Sequence, residues 1–202
     1  MTRDTIRNEI KTMVKERRLP HILGTETECL RLAKLFALDE RQTEQLATAA
    51  LLHDITKHFS VDEHLAYMET IGQTVDESFL LSEKTLHALT GAYYARQHFP
   101  EAVDDAVFTA IRFHTTGRAD MTLLEKLLYL ADFIEPTRTF PDCVSLRQYF
   151  HDRMAENALE RVLNDTLILS FDMTISDLIQ LRCPIHPDTV AARNFLVAQE
   201  DR

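Results

Sequence analysis

The sequence predicts an all-α protein, a single-domain helical bundle, on three grounds. Apolar residues recur at three- and four-residue intervals along most of the chain. Three pairs fit the capping box that opens a helix: Asp39 with Gln42, Ser60 with Glu63, and Thr122 with Glu125. Nowhere do four or more residues alternate as a half-buried strand requires. With only four Gly and six Pro in 202 residues, and no Ser-rich or repetitive run, the chain has no tether to separate two domains.

In order, Ile6, Ile10, Met13 and Val14 give an opening amphipathic helix that should end near Leu19-Pro20. Pro20 suits the first turn of the next helix, which carries His21 near its start and runs to about Ala37. Asp39 then opens a helix holding His53 and Asp54, and Ser60 opens one that stops at Gly72. Ser82 is expected to cap a helix whose small residues, Ala88, Gly91, Ala92 and Ala95, allow close backbone approach. Pro100 should open a helix reaching His114 before Gly117 breaks it, and Leu123 to Glu135 is helical until Pro136. Beyond Pro141 the signal continues through Ala155, Ala158, Leu159, Val162 and Leu163, and a last helix follows Pro187. Roughly nine or ten helices result.

The net charge of -10 argues against nucleic acid backbones or anionic membranes as partners. No apolar stretch approaches 18 residues, so neither a signal peptide nor a membrane span is expected, and a cytoplasmic protein follows. Cys29, Cys143 and Cys183 are odd in number and far apart, which suits reduced thiols better than a disulfide framework.

The run Ala49-Ala50-Leu51-Leu52-His53-Asp54-Ile55-Thr56-Lys57 sets a His and an Asp at the end of an apolar stretch. Burying an ionised carboxylate costs several kcal/mol unless a cation pairs with it. The chain offers further metal ligands in His21, His87, His114 and Asp132, giving four imidazoles and two carboxylates in all. Adjacent helical residues point about 100° apart, so His53 can serve one ion while Asp54 bridges two. Singly, each histidine reads as an ordinary hydrogen-bonded residue; the ensemble does not. A second His-Asp pair, His151-Asp152, lies where a new helix should begin, so Asp152 reads as a cap. His58, His64, His98 and His186 neighbour turns or charges and are expected to be exposed, and Asp104-Asp105 to be solvated in the first turns of a helix.

These residues also carry a resemblance. Arg18-Leu19-Pro20-His21, Leu51-Leu52-His53-Asp54, His87-Ala88-Leu89-Thr90-Gly91-Ala92, His114-Thr115-Thr116-Gly117-Arg118 and Ala131-Asp132-Phe133-Ile134-Glu135-Pro136-Thr137-Arg138 resemble the HD-domain metal-dependent phosphohydrolases. Within them, the chain is similar to the bacterial symmetrical diadenosine tetraphosphate hydrolases of the YqeK type, from about residue 15 to Asn194 and including Pro184-Ile185-His186-Pro187-Asp188-Thr189. Asp142-Cys143 stands where that pattern turns on Gly. The resemblance implies one HD domain over residues 1–202, its metal core at about 18–138 and C-terminal helices at about 144–200 packed on it. It implies a non-haem iron centre and hydrolysis of diadenosine tetraphosphate to two ADP. The ligand set also admits manganese, cobalt or zinc.

For such chemistry the barrier lies in charge and positioning, and a metal-activated hydroxide is the expected nucleophile. No GxSxG elbow or Walker A run offers another route. Lys57, four residues after His53, is expected to share its helix face and aim an ammonium at the phosphate. Arg138 is placed for a bidentate phosphate grip, and Thr115 and Arg118, with His87, His114 and Asp132, for substrate contact. The expected partner is a small-molecule nucleotide; a homodimer is left open. So are a nucleotide or cyclic dinucleotide phosphodiesterase, a di-iron oxygenase and a non-catalytic nucleotide sensor.

Overall fold

The computed structural model describes residues 1–154 and 158–200 and contains, among them, eleven α-helices and no strand. The helices are α1 Arg3–Met13, α2 Leu19–Leu35, α3 Glu40–Leu52, α4 Val61–Thr70, α5 Glu77–Leu81, α6 Leu86–His98, α7 Asp105–Phe113, α8 Leu123–Ile134, α9 Pro141–Arg153, α10 Leu159–Gln180 and α11 Pro187–Glu200. All three expected capping boxes form, each with the reciprocal side-chain and backbone bonds that satisfy two otherwise orphaned donors.

Helix α3 is the central strut. Every residue from Leu46 to Leu52 is buried, so it is apolar on all sides, and α1, α2, α7 and α8 pack around it. Helix α8 is nearly as enclosed, with Leu127, Leu128, Leu130 and Ala131 fully buried. The small residues of α6 do pack closely: Ala88, Ala92 and Ala95 are fully buried, and α6 lies against α7. A smaller cluster of Met68, Phe79, Leu86 and Leu89 joins α4 and α5 to α6. Helix α10 lies against α8, α9 and α11, and the Tyr129 and Phe171 rings meet at 4.7 Å between centroids.

Several boundaries differ from expectation, each for a local reason. Helix α1 stops at Met13 because Val14 turns extended (φ -115°, ψ 159°), and a single 3-10 turn, Glu16–Arg18, leads into α2. Ser82 caps nothing: it ends the short helix α5, which the sequence does not announce, and α6 starts after a second 3-10 turn without a side-chain cap. Pro100 lies in a turn, and α7 opens at Asp104, whose carboxylate accepts from the Val107 amide. Asp104 also takes a hydrogen bond from Gln45 and Asp105 pairs with Arg96, and both remain exposed at the start of α7, as expected. His151 and Asp152 fall in the last turn of α9, not at a helix start, where Asp152 accepts from Gln148. Ala155 lies outside the described residues.

Two glycines with positive φ separate backbone strain from steric clash. Gly72 (φ 67°) has nothing within 4 Å of where a Cβ would stand, whereas Gly117 (φ 63°) would bring that atom 2.6 Å from Phe171 Cζ. Gly72→Ala should therefore cost about 1 kcal/mol for the left-handed backbone alone. Gly117→Ala should cost roughly 2–4 kcal/mol, because overpacking against Phe171 adds to the same strain. Urea unfolding of the two variants measures both; equal losses would show that the Phe171 contact carries no weight.

Candidate metal centre

The site forms where helix ends meet. His53 is the C-cap of α3 and His114 the C-cap of α7, while Asp132 sits in the last turn of α8. His21 and His87 stand in the first turns of α2 and α6. The C-terminal ends of three helices and the N-terminal ends of two thus contribute to one point. His53 and Asp54 follow the last α-helical residue; the chain tightens into successive i→i-3 turns, Ile55 to Leu52, Lys57 to Asp54 and Phe59 to Thr56. This is a departure from the expected continuous helix, and it changes which residues share a side: three-residue spacing pairs Lys57 with Asp54.

The carboxylate of Asp54 is 1% exposed and its oxygens face two histidine pairs. Oδ1 lies 3.2 Å from His87 Nε2 and 3.8 Å from His114 Nε2. Oδ2 lies 3.5 Å from His21 Nε2 and 3.4 Å from His53 Nε2. Asp132 Oδ1 completes the cluster, 2.9 Å from His21 Nε2 and 3.6 Å from His53 Nε2.

The histidine tautomers follow from their outer partners. Nδ1 of His53, His87 and His114 each faces a backbone carbonyl three residues earlier, of Ala50, Lys84 and Ile111, at 2.6, 2.8 and 2.7 Å. A carbonyl only accepts, so Nδ1 carries the hydrogen and Nε2 offers a bare lone pair. In His21, Nδ1 is 3.1 Å from Glu135 Oε1, with the same result. The inward nitrogens then face one another, His21 to His53 at 3.2 Å and His87 to His114 at 3.1 Å. Two lone pairs at that separation repel unless a cation or proton lies between them. Ligand atoms form three overlapping groups within 4.8 Å: His21, His53 and Asp54; His53, His114 and Asp132; and Asp54, His87 and His114. This donor set fits a divalent transition ion.

Electrostatics point the same way. Burial pushes the Asp54 carboxyl up, yet the charge on the adjacent His53 and the imidazoles around it hold it well below the usual carboxylate range. Burial likewise opposes the charge on Asp132, and Arg138 and His21 outweigh it. His53 is disfavoured as a cation by burial but is raised to about 9 by Asp54 and Asp132, whereas burial dominates at His87, which falls to about 3.

Around this core, Lys57 Nζ lies 3.1 Å from His87 Nε2, and Thr115 Oγ1 lies 3.2 Å from His114 Nε2. Arg138 Nη2 donates to Asp132 Oδ1 at 2.6 Å. Arg118 does not join them: it pairs with Glu125 (Nη2 to Oε2 3.0 Å) and donates to the Ala119 carbonyl, bracing the capping box of α8.

Three participants were absent from the sequence-based set. Arg18 contacts Asp54 Oδ2. Glu135 is fully buried and receives the Thr137 amide (2.7 Å) and hydroxyl (2.6 Å) as well as His21. It occupies the space that a side chain at Gly24 would take. The only sequence signal for it is its position three residues after Asp132, at a helix end. Third, His64, expected to be exposed, is 4% exposed and bonds Thr90 Oγ1 through Nδ1 at 2.7 Å. Thr90 meets the Thr56 hydroxyl, which donates to the His87 carbonyl, so the chain of bonds ends on a cluster helix. His186 is also buried, packed on Phe79 and bonded to Ser78, whereas His58 and His98 are exposed.

Comparison with known proteins agrees with this geometry. The HD domain pattern matches residues 18–137. A symmetrical bis(5'-nucleosyl)-tetraphosphatase of Halalkalibacterium halodurans is 35% identical over 95% of both chains, and one of Bacillus subtilis is 34% identical over 94% of both. A crystal structure described as an HD superfamily hydrolase involved in NAD metabolism, from Clostridium acetobutylicum, superposes with a TM-score of 0.85 at 33% identity and covers 98% of each chain. The chain belongs to the HD-domain family, in the branch of the symmetrical bis(5'-nucleosyl)-tetraphosphatases. No helix among the described residues is long and apolar enough to cross a membrane.

Two measurements test the outer bonds. Glu135→Gln should weaken ferrous or manganous ion binding about 10- to 100-fold, because His21 loses its charged acceptor; unchanged affinity by calorimetry would remove that role. Burial lowers His64 to about 4 from the ordinary 6.5, so the unfolded chain binds more protons between these values. Its contribution is whole above pH 6.5 and is lost as pH falls toward 4, by about 3 kcal/mol. His64→Gln should flatten that part of the stability profile relative to the parent protein; parallel profiles would contradict it.

Proposed function

We propose that the protein hydrolyses dinucleoside tetraphosphates, diadenosine tetraphosphate above all, between the two central phosphates to give two ADP. The observation that carries this reading is the Asp54 carboxylate, whose two oxygens face separate pairs of histidine nitrogens. The names of the relatives supply the substrate class. We assign His21, His53, Asp54, His87, His114 and Asp132 as ligands of a two-ion centre bridged by Asp54, and iron as its metal. Manganese, cobalt and zinc suit the same donors.

A bound divalent ion acidifies water enough to supply the nucleophile near neutral pH and offsets phosphoryl charge. The protein does the rest. The histidines hold their Nε2 atoms fixed through Nδ1, which removes reorganisation at the moment of reaction. Lys57 places its ammonium beside His87, where burial lowers its proton affinity while Asp54 and Asp132 support the charge. Arg138, held by Asp132, presents a guanidinium to a phosphate, and Thr115 a hydroxyl. His87, His114 and Asp132 lie close enough to touch both metal and substrate. Helices over about 144–200 pack on a metal core of about 18–138 as one catalytic unit. The three free cysteines, Cys29 and Cys143 buried, suit a reducing, cytoplasmic setting.

Anaerobically purified, ferrous-loaded protein should release two ADP from each diadenosine tetraphosphate; preference for a mononucleotide or cyclic dinucleotide would overturn the assignment. Asp54→Ala should abolish turnover while circular dichroism keeps its helical signal. Lys57→Ala should slow kcat roughly hundredfold, the cost of one cation aimed at the developing charge.

A further inference from the structure

Beside the metal centre lies a cavity of about 420 Å³ whose floor is Asp54 and Lys57 and whose wall is Lys15, Arg17, Arg18 and His58. Its volume falls in the usual range for small-molecule sites, roughly 300–1,000 Å³. Four cationic side chains against one carboxylate is the reverse of the balance in a chain of net charge -10. Two of the four, Arg18 and Lys57, already contact the cluster. The other two, Lys15 and Arg17, are exposed and form no ion pair or side-chain hydrogen bond among the described residues. Local backbone puts them there. Lys15 is extended (φ -65°, ψ 134°) and the following 3-10 turn swings Arg17 and Arg18 into the wall, while Glu16 between them does not line it.

From this geometry we propose that Lys15, Arg17 and His58 form the subsite for the distal half of the substrate, the nucleoside diphosphate that departs. The proposal rests on the dinucleotide reading above and adds to it. A tetraphosphate cut at its centre places two phosphates on each side of the broken bond. Arg138 and Asp132 hold each other at the cluster, and neither lines the cavity. The cavity opens from Asp54 and Lys57 and provides, in Lys15 and Arg17, charge for a second diphosphate that Arg138 does not reach from its place on Asp132. Because Lys15 and Arg17 line the cavity but belong to none of the metal-ligand groups, they would select for chain length rather than for the reaction itself and bind substrate and transition state alike.

The test uses the full-length, metal-loaded protein. Both residues are exposed, so the double variant Lys15→Ala/Arg17→Ala should fold normally. Its KM for diadenosine tetraphosphate should rise about tenfold or more, with kcat within about twofold, as expected for loss of uniform binding. Cleavage of bis(p-nitrophenyl) phosphate, which carries a single phosphate and no distal diphosphate, should stay within about twofold, and the salt dependence of dinucleotide KM should become shallower. The charge-reversal variant Lys15→Glu/Arg17→Glu should raise KM further. An unchanged KM in both variants overturns the subsite. An equal loss for bis(p-nitrophenyl) phosphate also overturns it, because the two cations then act only as a general field. If the parent protein releases no ADP from the dinucleotide, the functional reading fails first, and the subsite falls with it; a working parent with insensitive variants removes the subsite alone.

Discussion

The Asp54 carboxylate is the constraint on which the rest depends. A charge 1% exposed among apolar helices costs several kcal/mol unless opposite charge or strong donors surround it. Here the compensation comes from several segments: His21 on α2, His53 at the end of α3, His87 on α6 and His114 at the end of α7 surround its two oxygens, and Arg18 just before α2 contacts Oδ2. Asp132 on α8 adds a second carboxylate and so deepens the demand for positive charge. Asp54 and Asp132 favour the charged form of His53 against its burial, and the same carboxylates would favour a bound cation.

Orientation is set outside the cluster rather than within it. Three of the four imidazoles spend Nδ1–H on the carbonyl three residues earlier, a bond available only at or near a helix terminus or turn. His21 spends its own on Glu135, which Thr137 fixes in turn. Arg147 from α9 donates to the carbonyls of Glu135 and Arg138, tying down the chain that leaves α8. The packing of α9 on α8 therefore bears on the position of Arg138 as well as on stability.

A strongly acidic chain can still bind a polyanion, because its charge is sorted in space. The carboxylates of Glu26, Glu28 and Glu125 are matched by Arg7, Arg31 and Arg118 in structural pairs. Arg18, Lys57 and Arg138 gather instead around the metal centre, where two divalent ions would reinforce them. Net charge describes the distant field; a polyphosphate in the site meets the local one.

By itself the sequence determined the helical class, the three capped helix starts and the six ligand-type residues. Each of those follows from local chemistry: periodicity, a side chain reaching a backbone three residues away, and the basicity of imidazole and carboxylate. Tertiary structure decided what depends on distant partners. It tightened the chain after Leu52 so that Lys57 faces the side of Asp54, drew Arg118 onto Glu125, and buried His64 and His186. It also recruited Glu135 and Arg18, whose roles rest on atoms 114 and 36 residues away along the chain. Local sequence carries information about a residue's own backbone, whereas burial and long-range pairing exist only once other segments arrive.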